Sequence, residues 1–87
     1  MNIIVLGAGT FGTAIGNEIS VNKDNNVILF SRNKDKVNEI NILHTNKSCF
    51  PNKHLTKSLS ATSDKNEIKN ADVIFIALPS PVIIENL

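Results

Sequence analysis

A cluster of glycines directly follows a short apolar run near the start of the chain. The run Ile3–Leu6 is uninterrupted, which is typical of a strand buried on both faces, and it stops at Gly7. The segment Gly7–Gly12 reads GAGTFG, which has the spacing G-x-G-x-x-G, and apolar residues at helical spacing follow it. This order of strand, glycine turn and helix predicts the opening of a βαβ unit, and it constrains the fold more than any other feature.

Strands and helices alternate along the rest of the chain. A first helix is predicted from about Thr10 to about Val21, a second strand over Val27–Phe30, and a second helix that Asn33 caps and that ends near His44. A polar loop over Thr45–Lys57 leads to a third strand over Ser58–Thr62. A short helix then follows a cap at Ser63 or Asp64, with Glu67 at the capping-box position in the second case. A fourth strand over Asp72–Leu78 ends at Pro79 and Pro81, and Val82–Leu87 has the pattern of another helix beginning.

This alternation predicts an α/β fold, the amino-terminal part of a Rossmann-type doubly wound parallel sheet. Under the common strand order the four strands lie as 3-2-1-4. The fourth strand then forms an open edge, which is a template for pairing with another chain. We therefore expect a homodimer.

The 87 residues allow one domain, and a second domain that holds a substrate does not fit within them. Hydrophobic residues at 41% and a net charge of +1 exclude a disordered chain and the basic footprint of a nucleic-acid binder. The single cysteine, Cys49, needs no oxidising compartment, and no apolar stretch reaches the roughly 20 residues of a membrane span. The start of the chain lacks the basic region of a signal peptide, so we expect a cytoplasmic protein.

Each glycine of the motif has a predicted role. Gly7 permits a tight turn, Gly9 allows the backbone to approach a pyrophosphate, and Gly12 lets the helix pack closely on the sheet. Gly12 and Gly16 also form G-x-x-x-G, which indicates the same close packing. The unpaired N–H groups and the dipole of the helix N-terminus form an anion site, which predicts dinucleotide binding. The alternative is a glycine-rich turn that packs tightly and binds nothing.

Two further positions are candidates for contact with a cofactor. Arg32 follows the second strand where NAD-preferring sites carry an acidic residue, so its guanidinium can pair with a 2′-phosphate or stack on adenine. The alternative is a solvated arginine in the loop between strand and helix. Pro79 and Ser80 follow the fourth strand near the point where the strand order reverses, although Ser80 can instead cap the next helix. Arg32 predicts that NADP(H) binds at least as well as NAD(H).

The remaining polar residues indicate neither catalysis nor a metal site. His44 and His54 have no Cys, Asp or Glu neighbours at metal-ligand spacing, and Cys49 has no activating partner. No pair of carboxylates is spaced for acid–base work. We therefore assign no catalytic residue and no metal ligand in this chain.

The motifs together resemble the opening of bacterial-type NAD(P)-dependent glycerol-3-phosphate dehydrogenases. The resemblance begins with VLGAGTFGTA over residues 5–14 and continues with VILFSRN over 27–33. Asn46–Pro51 is similar to the family's loop of asparagine, aromatic residue and proline, and residues 61–64 and 71–80 are similar to its third and fourth strands. The resemblance covers essentially the whole chain.

This resemblance implies hydride transfer between NAD(P)(H) and a small phosphorylated substrate, which interconverts sn-glycerol 3-phosphate and dihydroxyacetone phosphate for phospholipid synthesis. It implies that Thr10 and Phe11 contact the cofactor and that Arg32 contacts its adenosine end. It places the catalytic lysines and a helical substrate domain beyond Leu87, so we expect this chain alone to be inactive. The alternatives are another β-hydroxyacid or ketopantoate-type reductase and a non-catalytic regulatory module that senses NAD(H).

Overall fold

A computed structural model describes residues 1–77, and in this part of the chain four parallel strands form one sheet in the order β3-β2-β1-β4. The central strand β1 pairs with β2 on one side and with β4 on the other, and β3 pairs with β2. The strands are β1 (Asn2–Leu6), β2 (Asn26–Phe30), β3 (Leu59–Thr62) and β4 (Val73–Ile76). The predicted Rossmann-type strand order is therefore confirmed.

The helices follow the strands as the sequence predicts, with one change of geometry. Helix α1 is Thr10–Ser20, and α2 is Lys34–Asn38, which continues as a π-helical turn over Glu39–Leu43. The Asn33 side chain caps α2, as predicted, by accepting from two backbone N–H groups of its first turn at 3.0 and 3.2 Å. None of the helices in residues 1–77 is long and apolar enough to cross a membrane.

The core lies on one face of the sheet. Alternate residues of β1, β2 and β3 point into it, because successive side chains of a strand point to opposite faces. At Gly16, α1 approaches this face so closely that a Cβ atom would lie 2.7 Å from Leu29 Cδ2, so the G-x-x-x-G spacing does serve close packing. The second helical segment adds two buried residues to the same cluster. The core contains Ile3, Val5, Val27, Leu29, Val37, Ile40, Leu59 and Ala61.

The fourth strand is shorter than predicted. Its predicted start, Asp72, lies just before β4, where its backbone N–H donates to Asn2 O at 2.7 Å and its carboxylate accepts from Asn2 N at 2.8 Å. The predicted end at Leu78, the prolines after it and the start of a helix over Val82–Leu87 lie outside the described residues. The start of β4 is therefore held to β1 by the Asp72 side chain as well as by backbone hydrogen bonds.

The segment between β3 and β4 is a 3-10 helix, Lys65–Asn70, capped by Asp64. The Asp64 side chain accepts from Asn66 N at 2.9 Å. The predicted capping box with Glu67 is wrong, because the backbone N–H of Asp64 donates to Thr62 Oγ1 at 3.1 Å instead. In a capping box the Glu67 side chain would accept from the N–H of Asp64, and here the Thr62 hydroxyl accepts from it instead.

Candidate cofactor-binding site

A cleft of about 880 Å³ lies at the carboxyl ends of β1 and β2, next to the point where the strand order reverses. Open α/β sheets bind their ligands at this point, and the volume falls within the roughly 300–1,000 Å³ of ordinary small-molecule sites. Its walls come from the glycine turn, the start of α2, the 3-10 helix and the residue after β4. They are Leu6, Gly7, Ala8, Gly9, Thr10, Phe11, Phe30, Ser31, Arg32, Lys36, Lys65, Ile68 and Ala77.

The turn after β1 needs glycine at two positions. Gly7 has a φ of 115°, in the region of backbone space that side chains disfavour, and its N–H donates to Phe30 O at 3.0 Å. A Cβ atom on Gly12 would collide with the carbonyl oxygen of Gly7 and approach Ala77 Cβ at 3.2 Å. These contacts let α1 begin directly beside the ends of β1 and β4.

Gly9 leaves the start of α1 open towards the cleft. It is the N-cap residue of α1, and among residues 1–77 no side chain caps the helix and no atom lies within 4 Å of where a Cβ atom on Gly9 would be. The first N–H groups of a helix have no partner within the helix, and the helix dipole adds positive potential there. No acidic side chain lies in the first turn of α1, so these donors can bind an anion such as a phosphate. Thr10 and Phe11 are exposed beside them, and Phe11 has 67% of its surface exposed.

Three cationic side chains line the cleft, and the sequence pointed to one of them. Arg32, the predicted one, is exposed at the end of β2. Lys36 lies in α2, where its Nζ donates to Ala8 O at 3.2 Å, and Lys65 begins the 3-10 helix. Both lysines lie in the first turns of helices that begin at the carboxyl ends of strands. This position in the sequence could have predicted that they line the cleft. The three cations give the cleft a charge suited to phosphate groups.

The structure brings five of the eight predicted cofactor-contacting residues to the walls of the cleft: Gly7, Gly9, Thr10, Phe11 and Arg32. Gly12 lies behind the turn and packs against it. Pro79 and Ser80 lie outside the described residues. Within residues 1–77 no group of three His, Cys, Asp or Glu side chains is placed to hold a metal ion.

Glu39 holds the loop beside the cleft. Its Oε2 accepts from Lys47 N at 2.7 Å and from Thr45 Oγ1 at 2.8 Å. The hydrogen bond from the backbone of Lys47, with that from Thr45, lowers the pKa of the Glu39 carboxyl below its ordinary value, and the nearby charges of Lys47 and Lys36 add to this. A charged Glu39 thus fastens the π-helical turn to residues on both sides of Asn46.

Comparison with known proteins identifies the family of this chain. Residues 2–87 match the family model described as NAD-dependent glycerol-3-phosphate dehydrogenase N-terminus. The glycerol-3-phosphate dehydrogenase (NAD(P)+) of Neorickettsia sennetsu is 41% identical over 80 residues, and that of Bacillus subtilis is 38% identical over 86 residues. These alignments cover 92% and 98% of this chain but 24% and 25% of the relatives. The chain therefore spans about a quarter of the length of the curated relatives it matches.

A solved structure has the same fold. The crystal structure of glycerol-3-phosphate dehydrogenase from Coxiella burnetii superposes with a TM-score of 0.71 and 30% sequence identity. The superposition covers 86% of this chain and 23% of that protein. Sequence and structure comparisons therefore agree on one family.

Proposed function

Because this chain belongs to the family of NAD-dependent glycerol-3-phosphate dehydrogenases, we propose that its cleft binds NAD(P)(H). The observation that carries the proposal is the start of α1 at Gly9, which no side chain in residues 1–77 caps, beside three cationic side chains. The backbone donors of a helix start fit the two linked phosphates of a dinucleotide. The family match also supports this function over a ketopantoate-type reductase and over a regulatory module.

The parts of the cleft suit different parts of the cofactor. The backbone from Gly9 to Phe11 would hold the pyrophosphate, because the N–H groups of a helix start bind anions without a charged side chain. Arg32, at the end of β2, would hold the adenosine end, by pairing with a 2′-phosphate or by stacking on adenine. Phosphate pairing favours NADP(H), so we propose that NADP(H) binds at least as well as NAD(H).

The whole protein would interconvert sn-glycerol 3-phosphate and dihydroxyacetone phosphate, and it would supply phospholipid synthesis. When bound, the nicotinamide supplies or accepts the hydride. The residues described here bind and orient the cofactor. We propose that the catalytic lysines and a helical substrate domain belong to the part of the relatives' length that this chain does not span.

Isothermal titration of the purified protein with NADPH and NADH tests the binding directly. We expect saturable binding of both, with NADPH bound at least as tightly. Replacing Arg32 with Asp should weaken NADPH more than NADH, whereas equal losses would indicate stacking on adenine. A folded protein that gives no heat with either dinucleotide would contradict the proposal.

Two further properties belong to the same proposal. A homodimer is supported by the outer edge of β4, with which no strand among residues 1–77 pairs and which a partner strand could extend. Light scattering that shows only a monomer at high concentration would count against it. The cytoplasmic location stays a prediction, which fractionation of the source cells would test.

A further inference from the structure

A buried polar cluster connects the glycine turn to the loop that follows the π-helical turn. The Asn46 side chain is completely buried, and its Nδ2 donates to Ala8 O at 3.1 Å and to Thr13 Oγ1 at 2.9 Å. Thr13 is also completely buried, in the first half of α1. Both N–H groups of the amide are therefore used, one on each side of the start of α1.

The loop around Asn46 is fastened so that its amide has one orientation. Ser48 Oγ donates to Asn46 Oδ1 at 3.2 Å, which leaves the amide nitrogen facing the glycine turn. Glu39 holds the residues on either side, Thr45 and Lys47, through its carboxylate. The backbone oxygen of Asn46 accepts from Cys49 N and Phe50 N and closes the turn. Asn46 thus approaches the cleft from behind as part of a rigid loop.

The contact with Ala8 O sets the direction of the next N–H group. None of the peptide bonds among residues 1–77 is cis, and in a trans peptide the N–H points opposite to the C=O. Because Asn46 and Lys36 both donate to Ala8 O, the N–H of Gly9 is directed away from both donors. Gly9 lines the cleft and is the N-cap residue of α1, so this peptide lies beside the first backbone donors of the helix.

We propose that Asn46 is a positioning residue that orients the Ala8–Gly9 peptide to receive the pyrophosphate of the dinucleotide, an inference that depends on the proposed function. An amide is required there, because Ala8 O can only accept and the group that faces it must donate. A carboxylate of the same shape would place an acceptor against the carbonyl and leave Ala8 O with Lys36 alone.

The substitution Asn46→Asp in the full-length protein tests this role, with NADPH titrated directly and ADP and adenosine measured by competition. We expect affinity for NADPH and ADP to fall about tenfold or more, since a buried hydrogen bond to the turn is lost. Affinity for adenosine, which has no phosphate, should stay within about twofold. General damage to the fold would weaken all three ligands together, so the difference between ADP and adenosine identifies positioning.

Asn41→Asp is the matched control. The Asn41 amide also pairs with backbone, accepting from Ala61 N at 2.8 Å and donating to Ala61 O at 2.9 Å, but it lies at the outer edge of β3. The same chemical change there should leave the ratio of ADP to adenosine affinity unaltered. A matching fall in that ratio in Asn41→Asp would contradict the assignment to Asn46.

A gentler variant covers the case in which Asn46→Asp does not fold. Ser48 is exposed, and Ser48→Ala removes the donor that orients the Asn46 amide, together with a weak 3.9 Å contact to Cys49 Sγ. We expect a loss of about two- to fivefold for ADP and none for adenosine. If the folded variants bind ADP like the unmodified protein, Asn46 has no positioning role but the proposed function stands. If the unmodified protein binds no dinucleotide, the proposed function and this inference are both overturned.

Discussion

The two edges of the sheet differ in a way that their sequences do not suggest. β3, at one edge, reads LSAT and has only two strongly apolar residues, yet Leu59 is 1% exposed and Ala61 is 7% exposed. β4, at the other edge, reads VIFI and is wholly apolar, yet Ile74 is 46% exposed and Ile76 is 55% exposed. The hydrophobicity of a strand therefore does not predict its burial here.

What covers each edge explains the difference. The chain around β3 supplies its own cover: α1 and the second helical segment pack over the strand, and Leu55 from the loop is buried with them. The Asn41 amide also pairs with the N–H and C=O of Ala61 at 2.8 and 2.9 Å, so the backbone of this β3 residue is occupied. In the described part of the chain no strand pairs with the outer edge of β4. Among residues 1–77, other segments therefore cover the β3 edge but not the β4 edge.

The largest expected effect comes from truncating one apolar side chain at each edge, a buried one in β3 and an exposed one in β4. Leu59→Ala should lower the free energy of unfolding by about 2–5 kcal/mol, because the side chain is fully buried. Ile76→Ala should cost less than about 1 kcal/mol, because more than half of the side chain is already in water. Urea denaturation followed by circular dichroism measures both. Equal losses would show that another part of the protein covers β4.

A smaller effect is expected from removing the side chain that covers the outer backbone of β3. Asn41→Ala removes both hydrogen bonds to Ala61, and we expect a loss of about 1 kcal/mol in stability, since water can replace part of them. Self-association measured by light scattering should increase, because both edges then offer unpaired backbone. Asn38→Ala, at an exposed position of α2, is the control and should change neither quantity. Unchanged self-association in Asn41→Ala would mean that the amide does not protect the edge.

The smallest expected effect is the pH dependence of the stability that Glu39 contributes. The folded-state pKa of Glu39 is lowered, so its contribution is present above its unfolded pKa, about 4.5, and is lost as the pH falls through the lower folded-state value. Glu39→Gln should therefore be slightly less stable than the unmodified protein at pH 7, by under about 1 kcal/mol for a partly solvated carboxylate. Denaturation at a series of pH values should show the two proteins converging in acid. A difference that persists below the folded-state pKa would contradict a charged role.

The sequence predicted the parts of the fold that depend on local pattern. The glycine turn and the Asn33 cap each follow from a few neighbouring residues, and the strand order follows from the alternation of strands and helices. All three are present. The π-helical turn over Glu39–Leu43 was not predicted, and neither was the hydroxyl of Thr62 that replaces the Glu67 capping box. Both are small changes of hydrogen bonding, and the spacing of apolar residues in the sequence does not predict them.

The parts of the site that escaped prediction depend on contacts between distant residues. Asn46 meets Ala8 across 38 positions of sequence, and Lys36 meets it across 28. Asn46 begins the loop Asn46–Pro51 that the resemblance marks, but no role was predicted for its side chain. Asparagine is frequent in this chain, so nothing in the sequence indicates the contacts that Asn46 and Asn41 make. Arg32 could be named as a candidate because the position after β2 has a known role in this fold. Lys65 could not, because β3 gave the weakest strand signal in the sequence.

We propose that the dinucleotide binds at the glycine turn, at the carboxyl ends of the strands, and not along either edge of the sheet. Backbone amide spectra of the isotope-labelled protein, recorded during titration with NADPH, locate the binding residue by residue. We expect saturable shifts at Gly9, Phe11 and Arg32, with little change at Leu59. Saturation with no shift at the glycine turn, or with shifts confined to β3 and β4, would contradict it.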